Sequence, residues 1–299
     1  MFSEDHEKAA ILNKYFASVF VVEELSNIPQ PSPSHKIHPK IDNVEISEDI
    51  VRQKLSRLNC TSSQGPDSIH PRVLKEAAEH LARPLSVIFR KTISTGCLPS
   101  DWKLGQVVPI FKKGDRHDPG NYRPISLTSI PCKILESIIK DQLMCHLESN
   151  ELLSKDQHGF RSRRSCTSQL LEVIDEWSIS FEEGKPVDVL YLDFKKAFDS
   201  VPHQRLLSKL ETYSITGHLR CWISSFLSGR SQRVVVRGCH SPWAPVLSSV
   251  PQGSVLGPGL FIIYINDLPD SVRSSIKIFA DDTKIYHAMS CKRAAPTRP

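Results

Sequence analysis

The spacing of apolar residues along the chain changes between a period of about 3.6, which is typical of helices, and a period of 2, which is typical of strands. Helical spacing predicts helices over residues 4–22, 71–95, 133–147, 167–183, 202–213 and 217–227. Alternating or continuous apolar runs predict strands over residues 107–111, 189–193, 232–236 and 276–280. Between the first helix and the rest, a predicted linker contains Pro29, Pro31, Pro33 and Pro39. The chain therefore combines helices with a few short strands.

Two of the predicted strands end in aspartate. The strand over residues 276–280 leads into Asp281 and Asp282, and the strand over residues 189–193, which is apolar enough to be buried, ends at Asp193. An isolated Asp-Asp pair is more often a solvated turn than a site. The two strand ends lie 88 residues apart, so their carboxylates meet only if the strands are neighbours in one sheet. Together they would suit Mg²⁺, which takes one or two carboxylates plus substrate phosphates.

Two basic stretches are candidates for binding phosphates. Residues 112–124 form a glycine-punctuated loop in which Lys112 offers a point charge and Arg123 a bidentate fork. Residues 157–166 place three arginines beside Phe160, a combination that suits a nucleic-acid backbone and a stacked base. These arginines are Arg161, Arg163 and Arg164. For both stretches the alternative is a solvated surface loop.

Composition narrows the class of protein. The 299 residues, 39% of them hydrophobic, allow a sizeable core in one or two domains. The net charge is +5, but residues 1–60 carry seven Lys or Arg against nine Asp or Glu, which leaves 31 against 24, or +7, for the remainder. That surplus favours a polyanionic partner, with an ordinary slightly basic domain as the alternative. The eight cysteines include no C-x-x-C pair, which argues against a structural zinc site.

The N-terminus and the hydropathy pattern indicate the compartment. The first five residues are acidic where a signal peptide would be basic, and no apolar run reaches the ~18 residues of a membrane span. We therefore expect an intracellular protein, in the nucleus or the cytoplasm, with reduced thiols and no membrane association.

Three segments in fixed order carry a resemblance to a known family. They are Tyr191-Leu192-Asp193 followed by Phe198, the loop from Val250 through Gln252 and Gly253 to Pro258, and Phe279-Ala280-Asp281-Asp282. Together they resemble the motifs of reverse transcriptases, and most of all those of non-LTR (LINE-type) retrotransposons of the jockey kind. The resemblance extends over about residues 50–286. It departs from the family pattern at Ser249 and Gly259.

The resemblance implies an α+β right-hand polymerase fold, with helical fingers followed by a palm whose antiparallel sheet packs on helices. Residues 1–60 would form a helical segment and a Pro-rich linker, 61–286 the fingers and palm, and 287–299 an unstructured tail. No thumb follows the Phe-Ala-Asp-Asp motif. We therefore expect a truncated enzyme with little processive synthesis and an open strand edge beside Asp281.

The activity that the resemblance implies is RNA-directed DNA synthesis, in which nucleotides from dNTPs are added to a primer 3′-OH. Asp193 and Asp281, supported by Asp282, would hold two Mg²⁺ ions, for which Mn²⁺ can substitute. The implied partners are an RNA template, a DNA primer or RNA–DNA hybrid, and dNTPs.

Further roles follow from the resemblance, residue by residue. The positions that match the family's nucleotide-binding residues are Lys112, Arg123, Phe198, Gln252 and Gly253. In the family the two cations hold the triphosphate, and the aromatic ring lies under the sugar, where it excludes a 2′-hydroxyl. The arginines of the second basic stretch would contact the template. Asp199, one residue past the ring, is assigned a structural role.

Two alternatives remain open at this point. The first is a truncated, catalytically inactive remnant that binds nucleic acid: the intact aspartates favour the enzyme, and the missing thumb favours the remnant. The second is an RNA-templated RNA polymerase, since the palm is shared. Phe198 and the Phe-Ala-Asp-Asp form argue against it.

Overall fold

The computed structural model describes residues 4–28 and 39–289. Its α-helices are α1 Asp5–Ser18, α2 Glu48–Ser56, α3 Pro71–Glu76, α4 Ala78–Thr95, α5 Ile130–Ser149, α6 Cys166–Glu182, α7 His203–Thr212, α8 Gly217–Leu227 and α9 Gly257–Ile265. Its strands are β1 Leu104–Phe111, β2 Tyr122–Leu127, β3 Val187–Asp193, β4 Arg230–Val236, β5 Cys239–His240, β6 Ala244–Val246, β7 Ser275–Phe279 and β8 Asp282–Ala288. This mixture confirms the predicted α+β class. Three prolines of the predicted linker, Pro29, Pro31 and Pro33, and residues 290–299 of the predicted tail lie outside the described residues.

The chain divides into two compact units. The first unit comprises residues 1–152 and 198–264, and the second unit comprises residues 153–197 and 265–299. Among the described residues of both units, every helix is too short or too polar to cross a membrane.

The first unit contains a mixed sheet in the order β2-β1-β4-β5, with β6 also paired to β4. Strand β1 runs antiparallel to β2 and parallel to β4. Helix α1 packs on this sheet, because one stripe of the helix is apolar and buries against the central strands. The residues of this contact are Ala9, Leu12 and Phe16 from the helix, with Val107 and Val234 from the sheet.

Helix α1 is shorter than the sequence predicts. It ends at Ser18 rather than at residue 22. The next residues include Val19, Val21 and Val22, and β-branched side chains disfavour the helix and favour extended backbone. The backbone of Val21 instead donates a hydrogen bond to the Ser248 hydroxyl at 2.9 Å.

The remaining helices of the first unit form a second layer, in which α4 packs on α2 and α8. Its core includes fully buried aromatic rings, with Trp222 stacked on Phe226 at a centroid distance of 5.4 Å. The predicted helix over residues 71–95 is two helices, α3 and α4, separated at Ala77. Gly96 ends α4 with φ +64°, a left-handed conformation that is common for glycine directly after a helix.

The second unit contains an antiparallel sheet in the order β3-β8-β7. Helix α6 lies against this sheet, where the Lys284 amine donates a hydrogen bond to Gln169 and the Tyr286 hydroxyl donates one to Glu176. Polar side chains of α6 thus face the sheet. Several of its apolar side chains are exposed instead, among them Leu171, Ile174 and Phe181.

The prediction of an open edge on the strand that leads to Asp281 is wrong. That strand is β7, and its outer edge pairs with a short segment that precedes α6. The His158 N–H donates to the Ile278 carbonyl oxygen at 2.8 Å, and the Ile278 N–H donates to the Asp156 carbonyl oxygen at 2.9 Å. The edge is covered at Ile278 because the chain returns alongside the hairpin there from a distant part of the sequence.

The prediction that β3 is buried is also wrong. Leu190 and Tyr191 are 55% and 63% exposed. Among the described residues β3 pairs with β8 alone, and a strand at the edge of a sheet has a neighbour on one side only. An apolar sequence therefore predicted the strand but not its place in the sheet.

Candidate active site

The pairing of β3 with β8 brings two aspartates opposite each other. In this antiparallel register Asp193 is the partner of Asp282. Directly opposite residues in such a pair have Cα atoms about 4.5–5.5 Å apart and side chains on the same face. Carboxylates that are far apart in the sequence therefore meet at one end of the second unit's sheet. The neighbour of β3 is β8, which begins at Asp282, whereas β7, the strand that leads into Asp281, lies on the far side of β8.

Asp281 lies in the tight turn that joins β7 to β8. Phe279 and Asp282 are the paired residues that flank this turn, so Ala280 and Asp281 are its two central residues. Ala280 has φ +57°, a value that residues with a Cβ adopt rarely. Asp281 therefore directly precedes Asp282, the residue that pairs with Asp193.

The donor set at this end of the sheet fits a hard divalent cation. Asp193 and Asp282 are exposed and supply carboxylate oxygens. Within the described ranges, no group of three His, Cys, Asp or Glu side chains is placed to hold a metal ion by itself. Mg²⁺ does not need one, because it completes its shell with water and substrate phosphates. The aspartates therefore suit an ion that is shared with a phosphate-bearing substrate.

A cavity of about 270 Å³ lies beside the paired aspartates in the second unit. Asp193 and Asp282 line it, together with Cys166 and Gln169 from the first turn of α6. The Lys284 amine also lines the cavity and donates a hydrogen bond to Gln169 at 2.9 Å. The cavity thus offers a cationic and an anionic side to a polar ligand.

The arginines of residues 157–166 have two different environments. Arg161 donates a hydrogen bond to the Ser154 carbonyl oxygen at 2.6 Å, and Arg164 donates one to the Lys155 carbonyl oxygen. These two side chains are half-buried, whereas Arg163 is exposed. Two of the arginines therefore stabilise their own loop, and Arg163 is the most accessible of the three.

The β1–β2 hairpin of the first unit carries the two residues predicted to bind the triphosphate. Arg123 pairs with Ile110, and Lys112 directly follows β1, so both lie near the loop end of the hairpin. Both side chains are exposed. The Lys112 N–H donates to the Asn121 carbonyl oxygen at 2.9 Å, which closes the loop between them. The hairpin thus presents two cations on an ordered backbone.

The loop that contains Gln252 is fixed on both sides within the first unit. The Ser126 N–H of β2 donates to the Gln252 carbonyl oxygen at 2.8 Å. Gly253 has φ +105°, and a methyl group on it would lie 2.4 Å from the Ser126 carbonyl oxygen, so only glycine fits. On the other side the Gln252 amide donates to the Asp199 carboxylate at 3.0 Å. Asp199, for which the sequence predicts only a structural role, orients this amide.

Phe198 packs within the first unit. Its ring stacks on Phe261 with centroids 4.3 Å apart and an angle of 15° between the planes. Its carbonyl oxygen accepts a hydrogen bond from the Val250 N–H at 3.0 Å. The stacking fixes the plane of the Phe198 ring, which a steric role beside a sugar would require, and it packs this half-buried ring against the buried Phe261.

Glu136 has a role at this loop that its sequence context did not predict. It lies on α5 with no exposed surface, and its Oε2 accepts hydrogen bonds from Val255 N–H at 2.7 Å and Leu256 N–H at 3.0 Å. Burial raises the pKa of its carboxyl, while the Leu256 N–H and the Arg230 guanidinium oppose that shift. Glu136 thereby anchors the start of α9, just after the loop that contains Gln252. A single acid within the apolar stripe of α5 was the signal for it.

The candidate residues divide between the two units. The second unit contains Asp193, Asp281, Asp282, Arg161, Arg163 and Arg164. The first unit contains Lys112, Arg123, Phe198, Gln252 and Gly253. Within the second unit Asp193 lies opposite Asp282, which directly follows Asp281 in the chain. Within the first unit the glutamine loop bonds to β2, the strand that carries Arg123.

Comparison with known proteins agrees with the geometry. The sequence pattern of the family described as reverse transcriptase (RNA-dependent DNA polymerase) matches residues 110–295. The chain is 29% identical over 257 residues to the probable RNA-directed DNA polymerase from transposon X-element of Drosophila melanogaster, covering 84% of this chain and 28% of that protein. It is 31% identical over 245 residues to the RNA-directed DNA polymerase from mobile element jockey of the same species, covering 79% and 26%.

A more distant relative extends over more of the chain. The Pol polyprotein from type-1 retrotransposable element R1 of Bradysia coprophila is 26% identical over 308 residues, covering 95% of this chain and 28% of that protein. The chain thus spans between 26% and 28% of the length of these three curated relatives.

Proposed function

The chain belongs to the reverse transcriptase (RNA-dependent DNA polymerase) family, and from that membership we propose that it performs the polymerase chemistry of a non-LTR retrotransposon. The proposed reaction adds deoxynucleotides from dNTPs to the 3′-OH of a primer paired with an RNA template. The observation that carries the proposal is the register that sets Asp193 opposite Asp282, beside the turn with Asp281.

Asp193 and Asp281 are the proposed ligands of two Mg²⁺ ions, with Asp282 in support. When bound, such ions stabilise the charge on the attacking and leaving oxygens of a phosphoryl displacement. The aspartates contribute carboxylates whose backbone positions are set by a hydrogen-bonded ladder and a two-residue turn. Mn²⁺ can substitute, because carboxylate, carbonyl and water oxygens suit Mg²⁺ and Mn²⁺ alike.

Lys112 and Arg123 are the proposed contacts of the dNTP triphosphate. Arginine donates a bidentate pair of hydrogen bonds to phosphate oxygens, and lysine adds a point charge. The primer 3′-OH gives up its proton to water as its oxygen attacks the α-phosphorus. The bond from that phosphorus to the α,β-bridging oxygen breaks, and pyrophosphate leaves with the electron pair. The Lys112 and Arg123 side chains favour this step because their positive charges offset the negative charge that develops on the leaving pyrophosphate.

Phe198 is the proposed selector of deoxyribose. Its ring is held flat against Phe261, and a rigid ring beneath the sugar leaves no room for a 2′-hydroxyl. Gln252 and Gly253 are the proposed lining of the pocket. The side-chain amide of Gln252 donates a hydrogen bond to Asp199. The side-chain oxygen of Gln252 can therefore accept a hydrogen bond from a hydroxyl or a base.

The proposed nucleic-acid partners are an RNA template and a DNA primer, or their hybrid. Arg163 is the first candidate for contact with the template backbone because it is exposed. Arg161 and Arg164 are further proposed contacts of the template, since each guanidinium carries five N–H donors.

A single-nucleotide extension assay tests the proposal. The 299-residue chain is given a DNA primer on a homopolymer RNA template, one complementary dNTP and Mg²⁺. We expect incorporation that Asp193→Asn and Asp281→Asn each abolish, because an amide neither carries the charge nor replaces the ligand. Asp188→Asn is the matched control: it changes an exposed aspartate of β3 that pairs with His287, away from the site.

Two results would overturn the proposal. Incorporation that persists in Asp281→Asn would remove this turn from the chemistry. Tight binding of the hybrid with no incorporation in any variant would identify a nucleic-acid-binding chain that does not turn over.

A further inference from the structure

Gln157 lies buried against the turn that contains Asp281. Its side chain is 1% exposed, and its Oε1 accepts hydrogen bonds from the Ala280 N–H at 3.0 Å and the Gly159 N–H at 2.7 Å. Its Nε2 donates a longer hydrogen bond to the Ala280 carbonyl oxygen at 3.5 Å. One side chain therefore binds both backbone polar groups of Ala280.

The backbone around Gln157 follows the hairpin closely. Gln157 forms a parallel bridge with Ile278, and the His158 N–H donates to the Ile278 carbonyl oxygen at 2.8 Å. A methyl group on Gly159 would lie 2.3 Å from the Ala280 nitrogen. Glycine is therefore required at position 159, because only the absence of a side chain lets the segment approach the turn.

An ion pair also ties this segment to β7. The Lys277 amine, on β7, donates hydrogen bonds to Asp156 at 3.2 Å and to Glu172 of α6 at 3.0 Å. Asp156 directly precedes Gln157, so this ion pair ties the segment to the strand that enters the turn. Gln157 thus reaches the turn from a fixed backbone.

Ala280 is the residue of the turn that needs this support. Its φ of +57° is rarely adopted by residues with a Cβ, so other backbone conformations compete with it. Leaving that conformation would break the hydrogen bonds between Ala280 and the buried Gln157 side chain, and losing such bonds is costly for polar groups shielded from water. The hydrogen bonds from Gln157 therefore favour the observed turn, and the next residue is Asp281.

We propose that Gln157 is a positioning residue for Asp281, whose carboxylate it places by fixing the backbone of the turn. The inference rests on the proposed function for its consequence, which is the binding of a cation by Asp281. It assigns to Gln157 a role that differs from the template contact predicted for this stretch, since the amide faces the hairpin.

Hydrogen exchange of the turn, measured by mass spectrometry on peptides that cover residues 276–286, tests the inference directly. In Gln157→Leu, a change of similar volume, the Ala280 N–H loses its acceptor. We expect its exchange to accelerate about tenfold, the factor that corresponds to about 1.4 kcal/mol. Gln157→Glu keeps an acceptor oxygen and should retain most of the protection. If Gln157→Leu does not fold, the comparison of Gln157→Glu with Gln157→Asn, which is one methylene shorter, replaces it.

Gln232→Leu is the matched control. Gln232 is also a buried glutamine, 7% exposed, whose Nε2 donates a hydrogen bond to Asn13 within the first unit. We expect its substitution to raise exchange in first-unit peptides and to leave residues 276–286 unchanged. Unchanged exchange of the turn in Gln157→Leu, or equal acceleration of the turn in Gln232→Leu, would overturn the inference.

Binding of Mn²⁺ alone, followed by electron paramagnetic resonance, tests the consequence separately. We expect Gln157→Leu to weaken Mn²⁺ binding several-fold, Gln157→Glu to restore it in part, and Asp281→Asn to remove it. Turn-specific acceleration of exchange without any Mn²⁺ binding by the unaltered chain would support the positioning role and overturn the proposed metal function. Equal Mn²⁺ affinity in Gln157→Leu and the unaltered chain would overturn the consequence for Asp281.

Discussion

At the scale of single residues, the loop that contains Gln252 has room at Gly253 for a hydrogen atom but not for a methyl group. Gly253 and Gly238 both have left-handed φ values, +105° and +85°. A methyl group on Gly253 would lie 2.4 Å from the Ser126 carbonyl oxygen, whereas one on Gly238 would meet nothing within 4 Å. A side chain at Gly238 would therefore cause backbone strain only, whereas a side chain at Gly253 would cause backbone strain and a steric clash.

Alanine substitution measures that difference. We expect Gly238→Ala to lower the free energy of unfolding by about 1–2 kcal/mol, from backbone strain alone. Gly253→Ala should lower it by more, because Ser126 must also move. Urea unfolding followed by circular dichroism gives both values, and equal losses would contradict the close approach at Gly253.

Phe198→Val tests the selector of deoxyribose. The smaller side chain should raise ribonucleotide incorporation relative to deoxynucleotide incorporation, since it opens space beneath the sugar. It should also lower the free energy of unfolding by about 2–4 kcal/mol, because the stack on Phe261 is lost. The ratio of the two incorporation rates is measured on the hybrid substrate.

Phe261→Leu is the control for that experiment, because it removes the same stack from the other side. We expect it to destabilise the chain and to change sugar preference less than Phe198→Val does, because the Phe198 ring is retained although it is held less firmly. Unchanged preference in an active Phe198→Val chain would make Phe198 a core residue only.

At the scale of elements, α9 depends on α5 for its first turn, through the two hydrogen bonds accepted by Glu136. Burial raises the pKa of Glu136 above its usual value of 4.5. Above pH 4.5 the unfolded chain therefore loses this proton more readily than the folded chain. Because the folded chain then binds more protons, stability falls as the pH rises toward the folded-state pKa.

Glu136→Gln removes this titration and keeps an oxygen that can accept a hydrogen bond. From pH 4.5 to neutrality, we expect the free energy of unfolding of the unaltered chain to fall relative to that of Glu136→Gln. Urea unfolding at a series of pH values measures the difference. Glu45→Gln, which changes an exposed glutamate, should run parallel to the unaltered chain. A parallel profile for Glu136→Gln would show that the carboxyl does not titrate differently on folding.

At the scale of the whole molecule, charge is distributed unevenly along the chain. Residues beyond 60 carry a surplus of +7. A protein that neutralises phosphates releases counterions, so its affinity for nucleic acid falls steeply with salt. We expect such a dependence for binding to an RNA–DNA hybrid.

Arg163→Ala tests which part of that charge is used. Loss of one phosphate contact should reduce the slope of log affinity against log salt by about 0.7–1. Alanine at Arg161, Arg163 and Arg164 together should flatten it further, and it should also loosen the loop that two of these arginines stabilise. Arg273→Ala, an exposed arginine outside this cluster, is the control. An unchanged slope in the triple variant would mean that the cluster is solvated surface.

By itself the sequence determined the α+β class, the strands that end in Asp193 and Asp281, and the family. Each of these is a property of consecutive residues: a hydrophobic period, a turn, or a motif in order. Periodicity records which face of an element is apolar, so it identified α1 as a packed helix and β3 as a strand. It does not record which element covers that face, and β3 was therefore wrongly expected to be buried.

Only the tertiary structure decided which distant residues hold the site. Gln157 and Ala280 are 123 residues apart, Glu136 and Val255 are 119 apart, and the Gln252 amide meets a carboxylate 53 positions away. Each contact joins a buried polar group to a partner that no local pattern announces. A buried donor or acceptor must find a partner, but its identity depends on which segments the completed fold brings together.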